Sequence, residues 1–153
     1  MCTIRLLERW DFPQVLDLMI DFARATGLRE FNQKTYDPAP GTAVLMRCLV
    51  GGVSYVAADK ERIVGMILSL RDQDMWIPSI VRVRELAWWV DPQYRASTVG
   101  GRLFHKYTSK AQALVDAGLI QGYTMTKLTT SPDFDYERRG FRLVESTYIK
   151  GGA

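Results

Sequence analysis

Apolar and polar positions along the chain follow two rhythms, and these predict the elements. Thr3 to Leu7 alternates as a short opening strand. Asp11 then reads as a helix N-cap, with Pro13 in the first turn and Gln14 three residues on, as in a capping box. Phe12, Val15, Leu16, Met19, Phe22 and Ala23 recur at helical spacing, and Gly27 ends that helix. A polar connector over 28–40 carries Phe31, Tyr36, Pro38 and Pro40. A second helix is predicted from Thr42 to Val50, stopping at Gly51-Gly52. Val53 to Ala58 and Arg62 to Leu70 read as strands joined through Asp59-Lys60-Glu61, a hairpin.

A loop with Trp76 and Pro78 leads to a long strand, Ile80 to Val90, ended by Asp91-Pro92. A long helix follows from Val99 to Ala117, with Leu103, Tyr107, Ala111, Leu114 and Val115 as its core stripe and Gly118 as its cap. The last predicted elements are a strand from Ile120 to Thr129, a short helix from Pro132 to Arg139 closed by Gly140, and a strand from Phe141 to Ile149. The order β-α-α-β-β-β-α-β-α-β predicts an α/β (α+β) fold, a mixed sheet flanked by helices within a single domain spanning 1–153.

Composition narrows the class. With 47% apolar and 24% charged residues over 153 positions, the chain has the mix of a soluble globular domain. A domain of this size buries roughly 68–70% of its unfolded surface without help from disulfides or metal. No run approaches the roughly 18 apolar residues of a membrane span. No secretory h-region opens the chain, so a cytoplasmic protein with reduced thiols is expected. Cys2, Cys48 and the lone His105 make no metal-ligand spacing, so no metal is expected. The net charge of +3 is too mild to argue for a nucleic-acid partner, although Arg outnumbers Lys 14 to 6.

The chemistry-bearing stretch runs from Trp88 through Trp89, Val90, Asp91-Pro92-Gln93-Tyr94 and Arg95-Ala96-Ser97-Thr98-Val99 to Gly100-Gly101-Arg102. A strand feeds a loop of small residues, which feeds a helix start. Such a loop exposes successive backbone N–H groups, and the helix end adds unpaired N–H groups with a favourable dipole, a cradle for pyrophosphate. Gly100 and Gly101 would let a ligand approach the backbone closely, with Arg95 and Arg102 as sources of charge. The competing reading is an ordinary strand-to-helix connection whose glycines serve packing. The stretch is neither a P-loop nor a GxGxxG fingerprint.

These residues resemble the signature of the GNAT superfamily of acyl-CoA-dependent N-acetyltransferases: Arg or Gln, two residues, Gly, one residue, then Gly or Ala. Arg95 to Gly100 fits, except that Thr98 stands where the first signature glycine is usual. Three further segments resemble the family in the right order. They are Ile4 to Leu7 with Asp11-Phe12-Pro13, Tyr55 to Asp59 with Ile63 to Ile67, and Tyr136-Glu137-Arg138-Arg139-Gly140-Phe141. Trp88 to Pro92 and the ending Glu145 to Lys150 also resemble small members from phages and prophages.

The resemblance implies acetyl-CoA as cosubstrate, an amine acceptor, no metal, and direct transfer; it admits a homodimer. Tyr136 matches the family's general-acid tyrosine. Glu85 lies in the strand before the signature, where many members carry a catalytic or water-holding glutamate. Strand alternation would place it on one face with Ala87 and Trp89, opposite Arg82 and Arg84. The backbone of Trp88, Trp89 and Val90 should pair with the pantetheine arm, with a β-bulge there splaying the sheet to admit it. The connector shapes the acceptor pocket, making Phe31, Tyr36 and Asp37 candidates, with Trp76 from the later loop. His105 faces solvent by helical phase. The alternative function is a fold that holds CoA, or nothing, and acts by interaction; Thr98 keeps it open.

Overall fold

A computed structural model describes residues 1–26 and 37–151. Phe31, Tyr36 and Gly27 lie outside the described residues. The elements are β1 (Thr3–Leu6), α1 (Phe12–Thr26), α2 (Pro38–Gly51), β2 (Tyr55–Asp59), β3 (Arg62–Gln73), β4 (Val81–Val90), α3 (Val99–Asp116) and β5 (Gly122–Thr124). They build one five-stranded sheet in the order β1-β2-β3-β4-β5. All neighbours are antiparallel except β4 and β5, which run parallel.

Both faces of the sheet are covered. One core joins Tyr55, Ala57, Val64, Ile67 and Val83 to Leu103, Tyr107 and Ala111 of α3. The other joins Val56, Ala58, Met66 and Leu68 to Val15 and Leu18 of α1 and Leu45 and Cys48 of α2. Burial on both faces explains why β2 and β3 read as continuous apolar runs rather than as alternation. Gly65 lets α3 settle on the sheet: a Cβ there would lie 3.1 Å from Leu103 Cδ1 and 3.3 Å from the Trp89 carbonyl oxygen.

Several sequence expectations change. Asp11 and Gln14 do not form a capping box. The buried Asp11 carboxylate accepts both Arg5 guanidinium N–H groups at 2.7 Å and the Glu8 N–H at 2.9 Å. Gln14 instead pins α1 to the hairpin, donating to the Glu61 carbonyl and accepting from the Ile63 N–H. The helix α2 starts earlier, at Pro38, because Asp37 accepts the Ala39 N–H and proline suits the first turn.

The C-terminal third departs most. The strand from Ile120 shrinks to three residues, and the helix over 132–139 is a single 3-10 turn, Glu137–Arg139, stopped by Gly140 at φ +86°. Phe141 to Ile149 forms no strand. Leu143, Val144, Tyr148 and Ile149 are all exposed, so this run of strand-forming residues has no ladder to join; β-propensity without a packed neighbour does not make a strand.

Candidate active site

The loop between β4 and α3 is built by its own motif. Asp91 accepts the Gln93 N–H and an Arg62 N–H, and Pro92 opens a 3-10 turn over Pro92–Tyr94. The Tyr94 hydroxyl donates to Asp59 at 2.7 Å, tying the turn to the end of β2. Arg95 folds back: its guanidinium lies 4.3 Å from the Trp89 ring centre and its Nε donates to the Val90 carbonyl. Arg95 thereby braces the loop through its Nε and its ring stacking. Arg102 likewise donates to the Cys2 carbonyl at 2.9 Å, so fastening α3 to the chain's start.

The backbone offers further donors for an anion. The first helical bond of α3 runs from the Arg102 N–H to the Thr98 carbonyl, and the Ser97 hydroxyl takes the Val99 N–H at 3.3 Å. The N–H groups of Gly100 and Gly101 have no partner among the described residues. No packing demands glycine at Gly101, where a Cβ would meet nothing within 4 Å; at Gly100 it would make only ordinary contacts with Val90 and Trp88. The packing explanation for the two glycines therefore fails at Gly101, and an open approach to these N–H groups is what they provide. Thr98 sits at φ −80°, so its departure from the signature glycine introduces no backbone strain.

A second opening lies along β4. The ladder with β5 has three rungs, Arg82 with Gly122, Val83 with Tyr123 and Arg84 with Thr124, and stops. Beyond it, among the described residues, β4 from Glu85 to Val90 pairs only with β3. The register with β3 shifts where Ser69 faces Glu85 and Leu68 faces Ala87, leaving Leu86 as a bulge.

This bulge corrects the expected facing. Ala87 and Trp89 pack toward α1, with Trp89 edge-on to Phe22 at 6.1 Å. Glu85 turns the other way, toward α3, because one extra residue reverses the alternation. The bulge falls before Trp88 to Val90 rather than within them.

Glu85 is 3% exposed, and its carboxylate accepts the Thr126 N–H at 3.0 Å. Burial pushes it up to about 7, against the smaller opposing pulls of the Thr126 N–H and Arg84. Two tyrosines feel its charge. Tyr107, fully buried on α3, donates to the Thr124 carbonyl at 2.8 Å, and burial followed by Glu85 raises it. Tyr136 is pushed up to about 12, first by burial and then by Glu85.

Tyr136 belongs to an aromatic wall. Its ring lies 4.8 Å from Phe134 and 5.8 Å from Phe141, centre to centre, and Trp88 stacks on Phe104 at 5.4 Å. The structure thus brings Glu85, Tyr136, Trp88 and the N-terminal half of α3 to one region. Three contributors were missed from sequence. Tyr107 was visible only as core stripe, Phe104 carried no signal beyond helical phase, and Thr126 contributes backbone alone.

Trp76 does not join them. It is 81% exposed at the tip of the β3–β4 hairpin. That tip lies at the end of β4 opposite Val90, beyond Val81, which itself stands roughly 13 Å along the strand from Glu85 at about 3.3 Å per residue. Asp37 is committed to capping α2. His105 is exposed, beside a groove of about 740 Å³ between Met1–Ile4 and the flank of α3. Among the described residues no group of three or more His, Cys, Asp or Glu is placed to hold a metal, and no helix is long and apolar enough to cross a membrane.

A five-stranded sheet whose parallel β4 and β5 diverge over a helix start is the fold of GNAT acetyltransferases. Solved structures confirm that likeness. A GCN5-related N-acetyltransferase from Ralstonia eutropha JMP134 superposes with a TM-score of 0.70 at 18% identity, covering 98% of each chain. A predicted acetyltransferase with acetyl-CoA from Clostridium acetobutylicum gives 0.70 at 9% identity, over 99% of this chain and 96% of that one. An acetyltransferase from Trypanosoma brucei gives 0.66 at 20% identity over 99% of both. No protein-family profile and no curated protein matches the chain.

Proposed function

We propose that the chain, acting as one domain, is an acyl-CoA-dependent N-acetyltransferase that moves an acetyl group from acetyl-CoA to a primary amine. The observation that carries the reading is the alignment of three features along one path. These are the open N–H groups of Gly100 and Gly101, the unpaired edge of β4 from Leu86 to Val90, and the Glu85 carboxylate where that edge begins. The neighbour from Clostridium acetobutylicum, solved with acetyl-CoA, supports the same ligand here.

In this reading the pyrophosphate rests on the Thr98–Gly101 backbone. The pantetheine arm runs along β4, where an amide-bearing chain can pair as a strand would. The acetyl group then arrives near Glu85 and Tyr136. A lysine-like amine is charged at neutral pH, and neutralising it costs roughly 4–5 kcal/mol. Glu85, titrating near neutrality, takes that proton, directly or through water. The amine nitrogen attacks the thioester carbon, the C–S bond breaks, and the thiolate leaves.

Tyr136 stays protonated across the working pH range and donates a hydrogen bond to the departing sulfur. Full transfer from a phenol near 12 to a thiolate of ordinary pKa, about 8.5, is uphill, so hydrogen bonding is its larger contribution. Free thiol release from acetyl-CoA over a panel of small amines and lysine peptides tests the reading. Amine-dependent release with acetylated product supports it, and a flat response across the panel with no product overturns it.

A further inference from the structure

The three rungs between β4 and β5 share one offset, so the next residue pair in register would be Glu85 with Met125, followed by Leu86 with Thr126. Neither pairing is made. The Thr126 N–H turns instead to the Glu85 side chain at 3.0 Å. A side-chain oxygen of β4 has taken the donor that a continuing ladder would give to a β4 carbonyl. At the last rung the Thr124 carbonyl also accepts the Tyr107 hydroxyl at 2.8 Å, which ties the end of β5 to α3. Above this point β4 keeps a free edge.

We propose that the Glu85 carboxylate is the stop that ends the β4–β5 ladder and holds the cleft open, with Tyr107 anchoring β5 on the other side. Glu85 thereby has a positioning role separate from proton transfer. As far as it concerns the ligand, the inference rests on the cleft being the acetyl-CoA site. The groups facing Glu85 are Arg84 from its own strand, Thr126 from the segment after β5, Tyr107 from α3, and Tyr136 from the segment before Gly140.

The two roles separate by substitution. Glu85→Gln keeps an oxygen acceptor of the same length and loses the base. Glu85→Ala loses both, and the freed Thr126 N–H then takes the next β4 carbonyl. The measurements are amide exchange by NMR and calorimetry with acetyl-CoA. We expect Glu85→Ala to slow exchange of cleft amides between Leu86 and Val90 by at least tenfold and to weaken acetyl-CoA binding by at least tenfold. Glu85→Gln should stay within about threefold of wild type in both. Exchange in Glu85→Ala that matches wild type overturns the stop.

If wild type binds no acetyl-CoA, the proposed function fails while the exchange comparison still decides the stop. A second readout needs only folded protein. The Thr126 amide shift in wild type should titrate with a midpoint of about 7 and be flat in Glu85→Gln. A Thr126 shift that is the same in wild type and Glu85→Ala at every pH overturns the proposal.

Discussion

The Glu85 carboxylate accepts the Thr126 N–H at 3.0 Å, two residues beyond Thr124, the last β5 residue paired with β4. The group proposed to take up the amine's proton is thus also tied to the backbone of the neighbouring segment. Its titration follows from burial, and the rate should report it. With chemistry rate-limiting, kcat/KM should climb up to about pH 7 along a limb belonging to Glu85, beyond whatever rise the amine itself contributes. In Glu85→Gln that limb should vanish, and the rate loss should shrink at high pH, where more of the acceptor is already neutral. A limb unchanged in the variant would remove Glu85 as base.

The same burial carries a stability signature. The Glu85 pKa is raised in the folded state, so the folded protein holds this proton more tightly than the unfolded chain does. Stability is unaffected below the unfolded value of about 4.5, falls as pH rises toward 7, and stays lowered above it. The full loss is about 3 kcal/mol. Glu85→Gln should therefore raise Tm at pH 8 and change it little at pH 4.5, in thermal melts followed by circular dichroism. Equal shifts at both pH values would contradict the buried charge.

Part of this architecture was legible in sequence because it is local. The α3 stripe of Leu103, Tyr107, Ala111 and Leu114 follows from helical spacing, and all four are buried. The turn at Asp59-Lys60-Glu61 follows from its chemistry, and Lys60 takes the positive φ there, +55°. The facing of Glu85 was not legible, because the bulge at Leu86 depends on how β4 pairs with β3 and not on β4 alone. The stacking of Arg95 on Trp89 was not legible for the same reason: it requires knowing which side of the sheet Trp89 occupies. The strand expected over 141–149 had the right composition but no neighbour.

Tyr136→Phe should keep the aromatic wall, since the ring contacts with Phe134 and Phe141 do not need the hydroxyl. Acetyl-CoA affinity should hold, while kcat and kcat/KM fall together by about 10², the low end for loss of a positioned donor. Unchanged kcat under rate-limiting chemistry would leave Tyr136 a packing residue.

Gly65→Ala should destabilise by roughly 1–3 kcal/mol, because its Cβ would press on Leu103 and on the Trp89 carbonyl, which is held in the β3–β4 ladder. Urea unfolding measures it, and a loss under 0.5 kcal/mol would mean α3 sits farther from the sheet than described.

The most direct measurement of the central claim is calorimetry with acetyl-CoA on wild type beside Gly101→Asp. Gly101 is open space, and an acidic side chain in the first turn of α3 favours the helix, so the variant should fold as well as wild type. Its carboxylate would stand where the phosphates rest. The account predicts saturable binding by wild type and at least a hundredfold weaker binding by Gly101→Asp. No binding by wild type at millimolar acetyl-CoA, or equal binding by both proteins, would contradict it.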